Sequence, residues 1–364
     1  MSAYTLISRR FPLVAAMAVV VLLAMAPLTL SPFRLGLLAK YLCLAIVAVG
    51  IGLAWGHGGM LTLGQGVFFG LGGYAMGMHL KLQEAGSGGL PDFMVWSGVE
   101  RLPVLWKPFA NPVFALAAVF VLPGVAAAVL GLLMFRQRVR GAYFAILSQA
   151  LAAAFAILLI GQQGLTGGTN GLTNFSEFFG MNLAEERTQR INYLLVAAAL
   201  GVVYLAARLV VRSRFGRLLI AVRDAEDRVR FLGYDPATVK TITFAMSAMM
   251  AGLAGALFVP VVGIISPALV GVVPSLEFLI VVAVGGRFTL AGAIGGAILV
   301  NYARTALSED FPSGWLYLQG ALFILVITLA PKGLAGLFTT VTGTVARPLR
   351  RRERAEQQPV EVAA

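Results

Sequence analysis

The chain has 364 residues, of which 59% are hydrophobic and only 12% charged, with a mean hydropathy of +0.86. Soluble domains carry about 25% charged residues, so this composition excludes an ordinary water-soluble fold. The net charge of +12 invites a nucleic-acid partner, but the basic residues gather at the ends of apolar runs, the pattern that orients a membrane protein, and no nucleic acid is expected.

Continuous apolar runs, in place of short alternating segments, exclude a β-barrel and predict an all-α, polytopic helical bundle. Ten spans are expected, at 11–30, 35–55, 61–82, 113–135, 142–160, 192–211, 241–262, 275–284, 289–307 and 315–330. Most approach the roughly 20 residues that cross a hydrocarbon core of about 30 Å. Eight or nine spans remain open if 268–286 re-enters without crossing. Arg9 and Arg10 before the first run, with Ala24-Met25-Ala26 at its end, imitate a cleavable signal peptide. Pro27 directly after that box opposes cleavage, so the run is read as an uncleaved first span.

The lone Cys43 lies inside a span and excludes an intramolecular disulfide. His57 and His79 are too isolated to suggest a metal site, and no cofactor is expected. In the third span, Gly66, Gly70, Gly73 and Gly77 line one helix face. A glycine face lets a neighbouring element approach closely, and here it is read as a packing surface. The loop 83–112, with Trp96 and Trp106, suits an interfacial cap, and 161–171 reads as a flexible polar turn cluster.

Between Arg212 and Lys240 lies a charged island holding eleven charged residues in a greasy sequence. Leu218, Val222, Ala225, Val229 and Leu232 recur at helical spacing, predicting a short amphipathic helix. Gly233 suits its left-handed C-terminal turn, and Asp235 followed by Pro236 suits the N-cap of the next span. Anionic lipid would attract the arginines but repel Asp224, Glu226 and Asp227, so the helix is read as a protein docking element. Its expected contact residues are Arg217, Arg223, Asp224, Glu226, Asp227, Arg228 and Gly233.

Gly285-Gly286-Arg287-Phe288-Thr289-Leu290 echoes Gly58-Gly59-Met60-Leu61-Thr62-Leu63, and transporters often build repeats from interrupted helices. With the N-terminus inside, nineteen Lys and Arg residues fall on inner segments and six on outer ones, so both termini are expected in the cytoplasm. Residues 1–346 form the expected transmembrane domain, with the coupling segment at 212–240, and 347–364 read as a basic, disordered tail facing lipid. No Asp or Glu sits mid-span, as a proton relay would need, and no G-x-x-x-x-G-K-[ST] loop is present for ATP. The chain is therefore read as a transport subunit and not an enzyme, with any pumping energy supplied by a partner.

Two segments carry a family resemblance. Gly64-Gln65-Gly66-Val67-Phe68-Phe69-Gly70-Leu71-Gly72-Gly73-Tyr74 resembles the segment that identifies permeases of branched-chain amino-acid ABC importers. Arg214-Phe215-Gly216-Arg217 through Leu232-Gly233-Tyr234 is similar to that family's cytoplasmic coupling segment. Within the family, Leu90-Pro91-Asp92-Phe93-Met94-Val95, Gly168-Thr169-Asn170-Gly171-Leu172-Thr173, and Asn301-Tyr302-Ala303-Arg304 on to Pro331-Lys332-Gly333-Leu334 look most like the urea-importer permease. Relatives often have Gly-His-Gly where this chain has Gly64-Gln65-Gly66, so a role for that histidine does not carry over.

The resemblance implies a multi-pass protein of the bacterial inner membrane within a five-part importer. A second homologous permease subunit would complete the pore, two ATPase subunits would drive it, and a periplasmic solute-binding protein would deliver a small polar solute, most specifically urea. A branched-chain amino acid as cargo, or a passive solute channel, are the alternatives. Gln65, Gln149, Asn170 and Asn301 are the candidate path residues, because neutral hydrogen-bonding groups suit an uncharged amide.

Overall fold

The computed structural model describes residues 21–86, 88–310, 314–329 and 333–336. Residues 21–29 are helical, and the principal helices then follow in order. They are α1 (Pro32–Ile51, continuing as a π turn over Gly52–His57), α2 (Gln65–Ala85), α3 (Pro112–Arg136), α4 (Ala142–Gly161) and α5 (Glu186–Arg212). After them come α6 (Arg214–Phe231), α7 (Pro236–Val262), α8 (Val272–Gly285), α9 (Leu290–Asp310) and α10 (Trp315–Leu329).

Six helices among the described residues are long and apolar enough to cross a membrane: α1 with its π turn, α3, α4, α5, α7 and α9 up to Ser308. They fall on six of the ten expected spans. The expected span 61–82 corresponds to α2, 275–284 to α8 and 315–330 to α10, while 11–20 of the first span and the tail 347–364 lie outside the described residues.

The helices sort by burial. α1, α2 and α7 form the centre, and α7 packs on α3, α2 and α1. Its small residues make this possible: a Cβ on Gly255 would lie 1.9 Å from the Phe69 carbonyl oxygen, and one on Gly72 would lie 2.0 Å from that of Gly252. Backbones in such contact gain dispersion where lipid supplies no hydrophobic drive. Phe144 and Phe68 meet Phe244 edge-on, each at 5.3 Å between ring centres. The outer helices instead expose apolar rows, such as Val121, Val125, Val129 and Leu133 on α3 and Val202, Leu205 and Leu209 on α5.

One connection runs back into the bundle. α7 ends at Gly263, whose φ of 78° gives a left-handed cap. Ile264–Ile265 then pairs antiparallel with Leu172–Thr173, and the chain continues through the short helix Pro267–Val270 to α8. Along this return Ile265 touches Gly73 and Gly77 of α2, and Val270 touches Gly66 and Gly70. Non-helical backbone at membrane depth must be buried in protein, and the glycine face supplies the room. α8 therefore starts beside Gly66 and covers only 14 residues, about 21 Å at 1.5 Å per residue.

Two sequence expectations change. The cluster 161–171 is ordered: it contains the helix Gln163–Thr166, and the following Leu172–Thr173 joins the ladder. The expected α6 face holds at Val222 and Val229, buried on either side of the non-helical Ala225 (φ −153°, ψ 63°), but fails at its last member, because the helix ends at Phe231. Leu219 is fully buried, whereas Leu232, expected on that face, is 75% exposed.

Candidate functional site

The charged helix α6 is built by local chemistry at both ends. Ser213 caps its start, its Oγ accepting from the Gly216 amide at 3.2 Å. At the far end the Gly233 amide donates to the Arg230 carbonyl at 3.0 Å and the Tyr234 amide to the Val229 carbonyl at 3.3 Å. With Gly233 at φ 88°, this is the paired-bond helix stop that a glycine at the C′ position permits. Two residues later Asp235 accepts from the Ala237 and Thr238 amides at 3.0 and 3.2 Å, capping α7. The Thr238 hydroxyl, reinforced by those amides, holds the Asp235 carboxyl below its usual range.

Salt bridges fasten α6 to the bundle. Glu226 meets Lys240 of α7 at 2.6 Å, Arg140 of the α3–α4 turn at 3.2 Å and Arg230 at 3.4 Å. Arg140 also reaches Asp227 at 3.0 Å, which holds the Asp227 carboxyl down and pushes the arginine up. Arg223 forks onto Asp224 at 2.7 and 3.2 Å, lowering that carboxyl too. An open cleft of about 620 Å³ lies over this network, lined by Gly58, Gly59, Arg140, Val222, Asp227 and Lys240 among others. Beside it, Phe231 is 91% exposed, and Arg217 and Arg228 are exposed with no ion pair among the described residues.

The expected docking residues thus share one helix and its stop, but they do different things. Arg223, Asp224, Glu226 and Asp227 are engaged within the chain, and Gly233 shapes the turn. Arg217 and Arg228 present their charge outward.

The candidate path residues are dispersed. Gln65 opens α2 and is 1% exposed, its Nε2 donating to Ser247 Oγ of α7 at 3.1 Å, while its Oε1 has no partner among the described residues. Next to it, the Gly66 amide donates to Ser275 Oγ at 3.0 Å, and the Leu63 amide to Ser148 Oγ at 2.9 Å. Asn301 is buried in α9 and donates to the Ala297 carbonyl at 2.7 Å. Gln149 is partly buried on α4. Asn170 is exposed and lines a cleft of about 90 Å³ with Asp92, Trp96 and Gln163 at the opposite end of the bundle from α6. No hydrogen bond joins any two of the four among the described residues.

That opposite end is tied by Lys81, 3% exposed, which bridges Glu84 at 3.1 Å and Asp92 at 3.2 Å and donates to the Asn174 carbonyl at 2.9 Å. Trp106 Nε1 adds a bond to the Leu165 carbonyl at 2.9 Å, so the two long loops form one cap.

Sequence reasoning missed Ser148, Ser247 and Ser275, which gather around the start of α2. A serine inside an apolar run is a readable signal of a buried hydrogen bond, although its partner is not. It also missed Lys240 and Arg140 as anchors of α6; a lysine one turn into an apolar span needs a partner, but the nearest acidic residue in sequence, Asp235, caps α7, and the partner is Glu226.

The High-affinity branched-chain amino acid transport system permease protein LivM of Escherichia coli (strain K12) is 28% identical over 316 residues, covering 79% of this chain and 67% of the relative. The corresponding LivH protein of Salmonella typhimurium is 23% identical over 309 residues, covering 80% and 91%. The xylose transport system permease protein XylH of Escherichia coli matches a shorter part, 27% identical over 143 residues, 37% of this chain. No solved structure matches. The family described as branched-chain amino acid transport system / permease component matches residues 33–327, so the chain belongs to that family of transport permeases.

Proposed function

We propose that this chain is one of two homologous permease subunits of a bacterial inner-membrane importer, driven by two partner ATPase subunits and loaded by a periplasmic binding protein. The observation that carries this reading is α6. It is an ordered helix with the apolar tip Phe231 and Leu232 exposed and with Arg217 and Arg228 exposed along its length, yet ion-paired to the core behind it. Such a surface fits a partner protein that pushes on the bundle. The Lys and Arg asymmetry of the sequence supports α6 and both termini on the cytoplasmic side.

The cargo that suits the interior best is urea. The buried polar side chains at the start of α2 are neutral: Gln65, Ser148, Ser247 and Ser275. They offer donors and acceptors to an uncharged amide and no counter-charge for the termini of an amino acid. The three stretches resembling urea-importer permeases support the same choice. The branched-chain amino acids named for LivM and LivH, and in the description of the matching family, are the second reading.

ATP-driven closure of the ATPases would move α6 and shift the bundle between outward- and inward-open states, which requires the ATPase to bind α6 differently in each. The test is a cysteine at Phe231, cross-linked in the purified assembly, together with uptake of labelled urea and leucine by vesicles. Cross-links to an ATPase subunit and ATP-dependent urea uptake are expected. Uptake that survives ATP depletion would identify a passive channel instead. Gly233→Pro cannot adopt the left-handed φ and removes an amide donor, so it should abolish both the cross-link and uptake.

A further inference from the structure

Arg223 is placed unlike the other arginines of α6. Its Nη1 donates to the Gly56 carbonyl at 2.7 Å, within the π turn that ends α1. Its guanidinium lies 5.6 Å from the Phe288 ring centre, and a Cβ on Gly59 would meet its Cγ at 2.7 Å. One side chain therefore touches both echoing Gly-Gly turns, the one before α2 and the one before α9.

Those turns also touch each other. A Cβ on Gly56 would lie 1.7 Å from the Arg287 carbonyl oxygen, so the two backbones are in direct contact. Arg287 lies 4.9 Å from the Trp55 ring centre and 4.7 Å from that of Phe288. The first turn departs from ordinary helix bonding at two of its three amides, Gly59 alone keeping the usual spacing with a bond to the Trp55 carbonyl at 3.0 Å. The Gly58 amide bonds to Leu53 at 3.1 Å and the Met60 amide to Ala54 at 3.0 Å, spacings wider than an α-helix uses. A π turn is a soft place in a helix, and here an arginine from another element fastens it.

We propose that Arg223 is the positioning residue that couples α6 to both turns, so that displacement of α6 by its partner is delivered to α1, α2 and α9 through this guanidinium. The inference rests on the reading of α6 as the ATPase contact. Arg223 touches no cargo; it acts through the Gly56 carbonyl and the Phe288 ring. Lysine could reach the carbonyl but could neither lie flat on the ring nor fork onto Asp224.

The complete assembly in proteoliposomes tests this with Arg223→Ala and Arg223→Lys. Uptake of labelled urea per ATP hydrolysed is expected to fall about tenfold in Arg223→Ala, the size of an ordinary coupling term, with hydrolysis itself within about twofold of the unsubstituted assembly. Arg223→Lys should restore part of the ratio. Hydrogen exchange on the same samples should speed about tenfold at Gly58–Met60 once the Gly56 carbonyl is released. Unchanged exchange in Arg223→Ala, or uptake and hydrolysis falling in proportion, would overturn the proposal. Should the unsubstituted assembly take up no urea, the cargo reading fails, while hydrogen exchange still decides the role of Arg223. A missing cross-link from the cysteine at Phe231 removes the ATPase contact instead.

Discussion

Lys240 Nζ lies 2.6 Å from Glu226 Oε2, with the two side chains only 11% and 13% exposed. This pair joins the second turn of α7 to the middle of α6 across the short connector between them. Removing Glu226 strands the largely buried Lys240 charge, at a cost of roughly 3 kcal/mol, whereas removing Lys240 leaves Glu226 its Arg140 and Arg230 partners and should cost less. Lys240→Met and Glu226→Gln should each lower the thermal unfolding midpoint in detergent, and the double variant should lose less than the sum. A strictly additive double-mutant cycle would show that the pair does not couple the helices.

Acid should loosen α6 within a narrow window. The carboxyls of Asp224, Asp227 and Asp235 are held below their ordinary range by Arg223, Arg140 and the Thr238 hydroxyl respectively. A lowered folded-state value stabilises above the unfolded value, near 3.9 for Asp, and the benefit disappears as pH falls through the folded value. Proteolytic sensitivity of the 212–235 segment is therefore expected to stay flat from about pH 7 to 5 and to rise below about pH 4. A rise already near pH 6 would contradict this assignment.

Much of this end of the molecule was legible in the sequence because its chemistry is local. Gly233, Asp235 and Pro236 announce a helix stop and a helix start by residue type alone, and each sits where that chemistry requires. The kink at Ala225 had no such signature, since alanine is the best of helix formers. Nor could the sequence show what Arg223 grips, because Gly56 is 167 positions away. The glycine face of α2 was visible as a spacing. Its occupant, the returning strand and short helix at Ile264–Val270, was visible only in three dimensions.

Glycines of equal helical context should respond oppositely to alanine. At Gly255 the new methyl meets the Phe69 carbonyl at 1.9 Å, whereas at Gly201 nothing lies within 4 Å. Gly255→Ala should destabilise by about 1–3 kcal/mol, the ordinary cost of overpacking. Gly201→Ala should be neutral or stabilising by about 0.5–1 kcal/mol. Unfolding midpoints measured in one detergent would compare them directly, and equal midpoints would remove the close-packing account of α2 against α7.

Gln65 separates transport from stability. Its Oε1 is buried without a partner among the described residues, so Gln65→Leu removes a costly polar atom while orphaning only the Ser247 hydroxyl. The expected outcome is an unfolding midpoint at or above that of the unsubstituted chain, with urea uptake lower by about tenfold if the amide meets cargo, one hydrogen bond's worth of discrimination. Normal uptake would take Gln65 off the path.

The four positions from Leu232 to Asp235 leave α6 and the buried α7 almost no free chain between them, and bonds at both ends stiffen what little there is. A linkage without slack transmits pull as faithfully as push. Under the proposed docking of a partner on α6, the same crank that drives the bundle also resets it, with no separate spring needed for the return stroke.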